Sequence, residues 1–242
     1  GQKQYLLADG SIEVISSPPA DHFWTNALGG SYQVGLNWLF HSKPGPLENA
    51  IFTNNASYPV NLFSINPQNA GAVFNAARVA PGSSVAVLGC GGVGLNVVQA
   101  ARVAGAARIV AVDTQAAKLD LAHDLGATDL VAVGAGEKAS SRILAVVPGG
   151  VDFAFEVVGS PALVREAFLA TRAGGMAVMV GSPRPGDEIS LDARHLLIDR
   201  GVVGTVGGGN VPQRDIPRIA ALYRSGALEL TVGTGTGSGD GE

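Results

Sequence analysis

From about Ala70 onward the chain alternates between two textures. Short runs dense in Val, Ala and Ile recur: VAVLG (85–89), RIVAVD (108–113), DLVAV (129–133), VDFAFEVVG (151–159), GMAVMVG (175–181) and VVGTVG (202–207). Nearly unbroken apolar runs of this length suit strands buried on both faces of a parallel sheet. Between them, apolar residues return at helical spacing. VGLNVVQAARVAG ends on Gly105 and TQAAKLDLAHDLGA on Gly126, both placed as C′ glycines. EKASSRILAVVPGG is stopped by Pro148, and SPALVREAFLATRAGG opens with Ser160 at an N-cap and Pro161 at the first helical position. GAVFNAARV predicts a short leading helix, Pro81-Gly82 a turn, and DIPRIAALYRSGAL a closing helix. Strand–helix alternation of this kind requires crossovers. Right-handed crossovers on six strands predict an α/β fold, a doubly wound parallel sheet of order 3-2-1-4-5-6.

The flanks differ. Residues 1–69 are rich in Asn, Ser, Pro and aromatics and poor in charge. QYLLADGSIEVIS predicts a hairpin turning at Asp9-Gly10, and GSYQVGLNWLF a further strand. Pro18, Pro19, Pro44, Pro46, Pro59 and Pro67 break up anything longer. The expectation is a small β-rich or irregular N-terminal segment over 1–69, a nucleotide-binding domain over 70–230, and a disordered Gly/Thr/Ser tail over 231–242.

Composition narrows the function classes. Hydrophobic residues make up 46% against 15% charged, enough for a real core in 242 residues. A net charge of −4 with no basic block gives no reason to expect nucleic acid or anionic lipid as partner. Mean hydropathy is +0.26, which strands buried on both faces explain. No apolar stretch approaches the roughly 20 residues of a membrane span. Cys90 is the one cysteine, so there is no internal disulfide and no four-cysteine zinc site, and a reducing cytoplasm fits. The opening GQKQYLLADG has no initiator Met and no signal-peptide pattern, and reads as the start of a fragment.

The chemistry begins at Gly89. Gly89, Gly91 and Gly94 form a GxGxxG between a strand and a helix, and Asp113 closes the next strand 19 residues past Gly94. That order is the dinucleotide-binding pattern of a Rossmann fold. Gly89 permits the tight turn, Gly91 lets a pyrophosphate approach the backbone, and Gly94 lets helix and strand pack closely. Gly92 and Val93 stand at the helix N-terminus, whose unpaired N–H groups and partial positive charge favour phosphate. Asp113 is expected to accept hydrogen bonds from the adenosine ribose hydroxyls and to repel a 2′-phosphate, which favours NAD over NADP. Two other readings remain at this point: glycines that serve only as turns, and a methyltransferase loop. The second fits less well, since Val87 and Leu88 stand before the glycines where an acid is usual.

Residues 70 to about 230 resemble the coenzyme domain of the zinc-dependent, medium-chain alcohol dehydrogenases. The resemblance rests on AGAVFNAARVAPGSSVAVLGCGGVGLNVVQAA, VDTQAAKLDLAHDLGATD, GGVDFAFEVVGS, RAGGMAVMVG and IPRIAALYRSGAL. It is nearest the glutathione- or mycothiol-dependent formaldehyde dehydrogenase branch. The resemblance implies NAD as cofactor, a small-molecule substrate, and hydride transfer between NAD and an alcohol or thiol-hemiacetal. It implies that Lys118 reaches the adenosine ribose, that Val158 lines the adenine or nicotinamide slot, and that Val180, Gly181 and Ser182 form the turn holding the carboxamide. It also implies a homodimer joined through the last strand, VVGTVG.

In this family a zinc ion polarises the alcohol oxygen, held by ligands in an upstream domain. Residues 1–69 carry no cysteine and no GHE, and His22 and His41 stand alone. His123 and His195 read as structural, Cys90 as a small filler, and Glu156 as an acid at a strand end near the cleft. No residue is therefore assigned to catalysis or to metal. Two alternatives stay open: a non-catalytic nucleotide-binding relic, and a zinc-free quinone-reductase-like member, against which Asp113 argues. The tail TVGTGTGSGDGE departs from the family's continuation, and a shift of reading frame would account for it.

Overall fold

The computed structural model describes residues 3–6, 12–15 and 67–229. The N-terminal strands β1 (Lys3–Leu6) and β2 (Ile12–Ile15) pair antiparallel, Lys3 opposite Ile15 and Leu6 opposite Ile12. The hairpin's turn, the GSYQVGLNWLF segment and the tail 231–242 lie outside the described residues.

The main body follows the alternation seen in the sequence. After α1 (Pro67–Gly71) and a π-helical stretch (Ala72–Ala77) come β3 (Ser84–Leu88), α2 (Gly92–Val103), β4 (Arg108–Asp113), α3 (Ala116–Asp124), β5 (Asp129–Ala132) and α4 (Ala139–Val146). Then come β6 (Val151–Glu156), α5 (Pro161–Ala170), β7 (Thr171–Met179), β8 (Gly201–Gly204) and α6 (Pro212–Arg224). The six strands form one all-parallel sheet of order β5-β4-β3-β6-β7-β8, the doubly wound order expected. Gly105 and Gly126 end α2 and α3 at φ +81° and +116°, one residue past the caps Ala104 and Leu125.

The period-two register of the strands builds two cores. Val85, Val87, Ile109 and Ala111 face a layer that includes Leu95, Val98, Leu119 and Ile219. Ala86, Leu88, Val110 and Val112 face the opposite layer with Ile143 and Phe168. Each strand is apolar on both sides because helices cover both. Leu88 pairs with Val112 on one side and with Glu156 on the other, and Glu156 pairs with Met179. The carboxyl ends of four strands therefore finish level. The chain winds away from β3 in both directions, so the edge above β3 and β6 is the topological switch point where such sheets bind ligands.

Three local expectations change. The leading helix is one α-turn that widens into a π-helix and stops at Arg78, which takes φ +54°. Thr171, read as part of a helix tail, instead pairs with Val151 at the start of β7. Its hydroxyl donates to the Phe168 carbonyl at 2.8 Å, and Gly174 at φ +73° swings the chain before the main register. Ser160 does stand at the N-cap of α5, but its side chain makes no capping bond.

Candidate functional site

Three turns meet at the carboxyl edge. The first is the glycine loop after β3. Gly89 sits at φ +104°, a region glycine favours, and donates its N–H to the Val112 carbonyl at 2.8 Å. A Cβ on Gly94 would lie 1.8 Å from the Gly89 carbonyl oxygen, so only hydrogen lets α2 start this close to the strand. Gly91 is the N-cap of α2 in extended conformation, with no side-chain cap, and the space around Gly91 and Gly92 is open. Intrahelical bonding onto the cap begins with Leu95 N–H to Gly91 O at 2.9 Å. The N–H groups of Gly92, Val93 and Gly94 precede that bond and have no carbonyl within their own helix. They carry the positive end of a twelve-residue helix dipole into open space.

Asp113 faces this loop. Its Oδ2 accepts the Cys90 N–H at 2.7 Å and its Oδ1 the Gln115 N–H at 3.0 Å. A carboxylate has lone pairs beyond those two. Cys90 is fully buried, with its sulfur 3.7 Å from the Val112 carbonyl. Burial first and the Asp113 charge second push its thiol up to about 12, while Lys118 works in the opposite direction. A thiol so raised is not a nucleophile near neutrality.

The second turn follows β6. Glu156 is fully buried, and its Oε1 accepts three backbone N–H groups: Val158 at 2.9 Å, Gly159 at 2.8 Å and Ser160 at 3.1 Å. The carboxylate thus takes three successive amides of the turn up to the N-cap, ahead of the first-turn amides that the Ser160 hydroxyl was expected to cap. The turn lifts Val158 out of the core, 58% exposed, and a Cβ on Gly89 would touch its methyl at 2.7 Å. The third turn follows β7. The Glu156 carbonyl accepts Val180 N–H at 2.8 Å and Gly181 N–H at 3.1 Å. Gly181 and Gly159 pack backbone to backbone: a Cβ on Gly181 would lie 2.0 Å from the Gly159 nitrogen.

The structure therefore brings Gly89, Gly91, Gly92, Val93, Gly94, Asp113, Val158, Val180 and Gly181 to one edge, and Lys118 stands in α3, the helix that follows Asp113. Val180 is half-buried against the core, whereas Ser182 is exposed. Sequence reasoning gave Glu156 no task. The signal available was an acid closing an apolar strand directly before V-V-G-S-P, the start of a helix. Among the described residues no three His, Cys, Asp or Glu side chains converge in a way that could hold a metal ion, so no chemical step is derived through zinc. His22 and His41 lie outside those residues. His195 packs edge-on against Phe168 and contacts Arg200 at 2.9 Å, and His123 sits on the exposed face of α3. Among the described residues no helix is long and apolar enough to cross a membrane.

The chain is similar to known proteins. A family described as "Zinc-binding dehydrogenase" matches residues 92–225. The S-(hydroxymethyl)glutathione dehydrogenase of Synechocystis sp. is 40% identical over 162 residues, 66% of this chain and 44% of that protein. The crystal structure of an alcohol dehydrogenase zinc-binding domain protein from Burkholderia ambifaria superposes with a TM-score of 0.69 at 35% identity, covering 75% of this chain and 50% of the other. A zinc-binding dehydrogenase from Sinorhizobium meliloti 1021, solved bound to NADP, superposes at 0.60 with 31% identity, covering 67% and 48%. The chain spans about half the length of the proteins it matches.

Proposed function

This chain belongs to the zinc-binding dehydrogenase family, and from that premise we propose that residues 70–230 form its NAD(H)-binding domain, with the cofactor lying across the three turns. The observation that carries the reading is the open first turn of α2 facing a carboxylate on the neighbouring strand. The amides of Gly92, Val93 and Gly94 receive the diphosphate. Asp113 accepts the ribose hydroxyls with the lone pairs left over from Cys90 and Gln115, and Lys118 lies beside the same ribose. Val158 covers one face of a ring with its exposed methyls, and the backbone of Val180, Gly181 and Ser182 meets the carboxamide. NAD supplies the hydride acceptor; these residues bind it, orient it and set its face.

Asp113 supports NAD over NADP, because a 2′-phosphate would bring a second negative charge against a carboxylate already fixed by two amides. The full protein's reaction is then oxidation of an alcohol or thiol-hemiacetal, the second following the name of the Synechocystis relative. A cytoplasmic setting agrees with a single, buried cysteine. β8 is an edge strand, and Leu197 and Val206 near it are more than four-fifths exposed, which supports pairing of two copies along this edge. Size-exclusion chromatography showing only monomer would remove that part of the proposal.

Calorimetry tests the core of it. NADH is expected to bind saturably. Asp113→Ala is expected to weaken it by about 10-fold or more, since hydrogen bonds to a charged group contribute roughly 1.5–3 kcal/mol. Absence of NADH binding by the unaltered chain would overturn the reading.

A further inference from the structure

Resting on that dinucleotide reading, we propose that Glu156 is the positioning residue of the nicotinamide end of the site. It is bonded to both turns there. Its Oε1 gathers the N–H groups of Val158, Gly159 and Ser160, and its main-chain carbonyl takes those of Val180 and Gly181. The two turns are then pressed together at Gly159 and Gly181, with no room for a Cβ on either. Val158 owes its exposure to this bonding. Its N–H is turned inward to the carboxylate, and its side chain is left above Gly89.

The chemistry at this position is not what a sheet needs for its own sake. Ala154 and Phe155, just before it, are apolar and fully buried, and so is Leu88, its partner on β3. A carboxylate in that setting is costly unless hydrogen-bonded. Here one oxygen is triply bonded, while the other, Oε2, is buried without a hydrogen-bond partner. A Leu or Val would fill the strand end without leaving such an oxygen. What the apolar residue could not do is hold three successive amides of a turn in one orientation. Ser160, at the N-cap of α5, makes no capping bond of its own. Glu156 holds the turn before the helix from inside the sheet, and the turn geometry follows from those three bonds.

The test uses the full chain, with two ligands and two variants. NADH engages both ends of the site; ADP-ribose carries the adenosine and diphosphate but no nicotinamide. Glu156→Asp withdraws the carboxylate by one methylene from the three amides. It is expected to weaken NADH about 10-fold, the scale of a lost charge-assisted hydrogen bond. It should leave ADP-ribose within about two-fold, inside the spread of an untouched site, and remove the blue shift of NADH fluorescence on binding. Glu156→Gln keeps an oxygen for the same amides and is expected to retain the wild-type ratio of NADH to ADP-ribose affinity. Equal weakening of both ligands, or of neither, by the Asp variant overturns the proposal. If the unaltered chain binds neither ligand, the dinucleotide reading itself fails and this inference falls with it. Should the Asp variant not fold, hydrogen exchange on the unaltered chain decides. The amides of Val158, Gly159 and Ser160 are expected to be protected despite their place in an exposed turn. Exchange at free-loop rates overturns the assignment.

Discussion

The glycine loop separates two jobs that a GxGxxG pattern usually blurs, and two single methyl groups can tell them apart. Gly91→Ala adds a Cβ where nothing stands within 4 Å, at φ −76° and ψ −172°, a conformation open to any residue. The fold has no reason to object. Reduced freedom of the unfolded chain should stabilise it by about 0.4–1 kcal/mol, a rise of roughly 1–4 °C in Tm for a body of this size. The ligand has every reason to object. The new methyl stands before the amides at the start of α2, where a phosphate oxygen must come within about 2.9 Å of nitrogen. Losing one such charged hydrogen bond costs roughly 1.5–3 kcal/mol, or about 10- to 150-fold in Kd.

Gly94→Ala is the mirror experiment. Its Cβ would lie 1.8 Å from the Gly89 oxygen and 2.9 Å from the Gly89 carbon, both backbone, so α2 or the loop must move. Overpacking of this kind costs about 1–3 kcal/mol and lowers Tm by roughly 2–12 °C. Thermal unfolding by circular dichroism and NADH calorimetry on the three proteins read both effects. A Gly91→Ala protein that melts lower yet binds NADH as before would refute the division of labour. So would a Gly94→Ala protein that melts unchanged.

Three carboxylates govern the response to acid. Arg108 holds Asp129 below the ordinary carboxylate range. Burial pushes Asp152 and Asp215 upward, but Ser84 with Arg172, and Arg214 with Val211 and Asn75, outweigh it and leave both lowered. A lowered folded-state pKa stabilises above the unfolded value, near 4, and that contribution disappears as pH falls through the folded value. Melting temperature is therefore expected to hold from neutrality to about pH 5 and to drop below the ordinary carboxylate range. Asp152→Asn should lower Tm at pH 7 and approach the unaltered protein in acid; a constant difference across pH would contradict the linkage. Ser160→Ala should change stability by less than about 0.5 kcal/mol, because its hydroxyl makes no capping bond. A loss of about 1 kcal/mol, as for a working cap, would refute that. Iodoacetamide at pH 7 should leave native Cys90 unmodified and label it after unfolding; rapid native labelling, followed by mass spectrometry, would refute the burial of its thiol.

The sheet was legible because its strands are buried twice over. Val85, Ala86, Val87 and Leu88 must all be apolar when alternate residues feed two cores, and the same constraint writes RIVAVD and VDFAFE. Once six such runs alternate with helices, handedness leaves few orders to choose from. The glycine loop was legible for a related reason: Gly89 and Gly94 are places where a side chain cannot be. What was not legible came from bonds that leave no pattern in residue type. Nothing in GAVFNAARV distinguishes a π-turn from an α-turn. Thr171 joins β7 by backbone pairing with Val151, while its hydroxyl bonds back to Phe168 in the helix before it. Ser160 has the right identity and position for a cap but makes no such bond, and the amides of the turn leading to it compete for a carboxylate four residues earlier, reaching from the strand. Competition of this kind is decided by tertiary geometry.

That competition also answers why a site for a dianionic diphosphate carries two carboxylates at its rim. Both acids are already bonded to backbone N–H groups, Asp113 to Cys90 and Gln115, Glu156 to the entry of α5. The sheet edge presents two helix N-termini beside the switch point, α2 and α5, and either would attract phosphate. Glu156 sets the chain's own negative charge on the amides leading into the second. At α2 no side chain caps the first turn and the space around Gly91 and Gly92 is open. The carboxylates therefore do not oppose the diphosphate so much as select its place: charge at α5 and at the end of β4 leaves one attractive position between them. Under the proposed reading the same charges set the direction of the dinucleotide, with the ribose toward Asp113 and the far ring toward Val158. A chain in which Glu156 were apolar would offer two anion sites of similar strength and bind the same cofactor in less defined register.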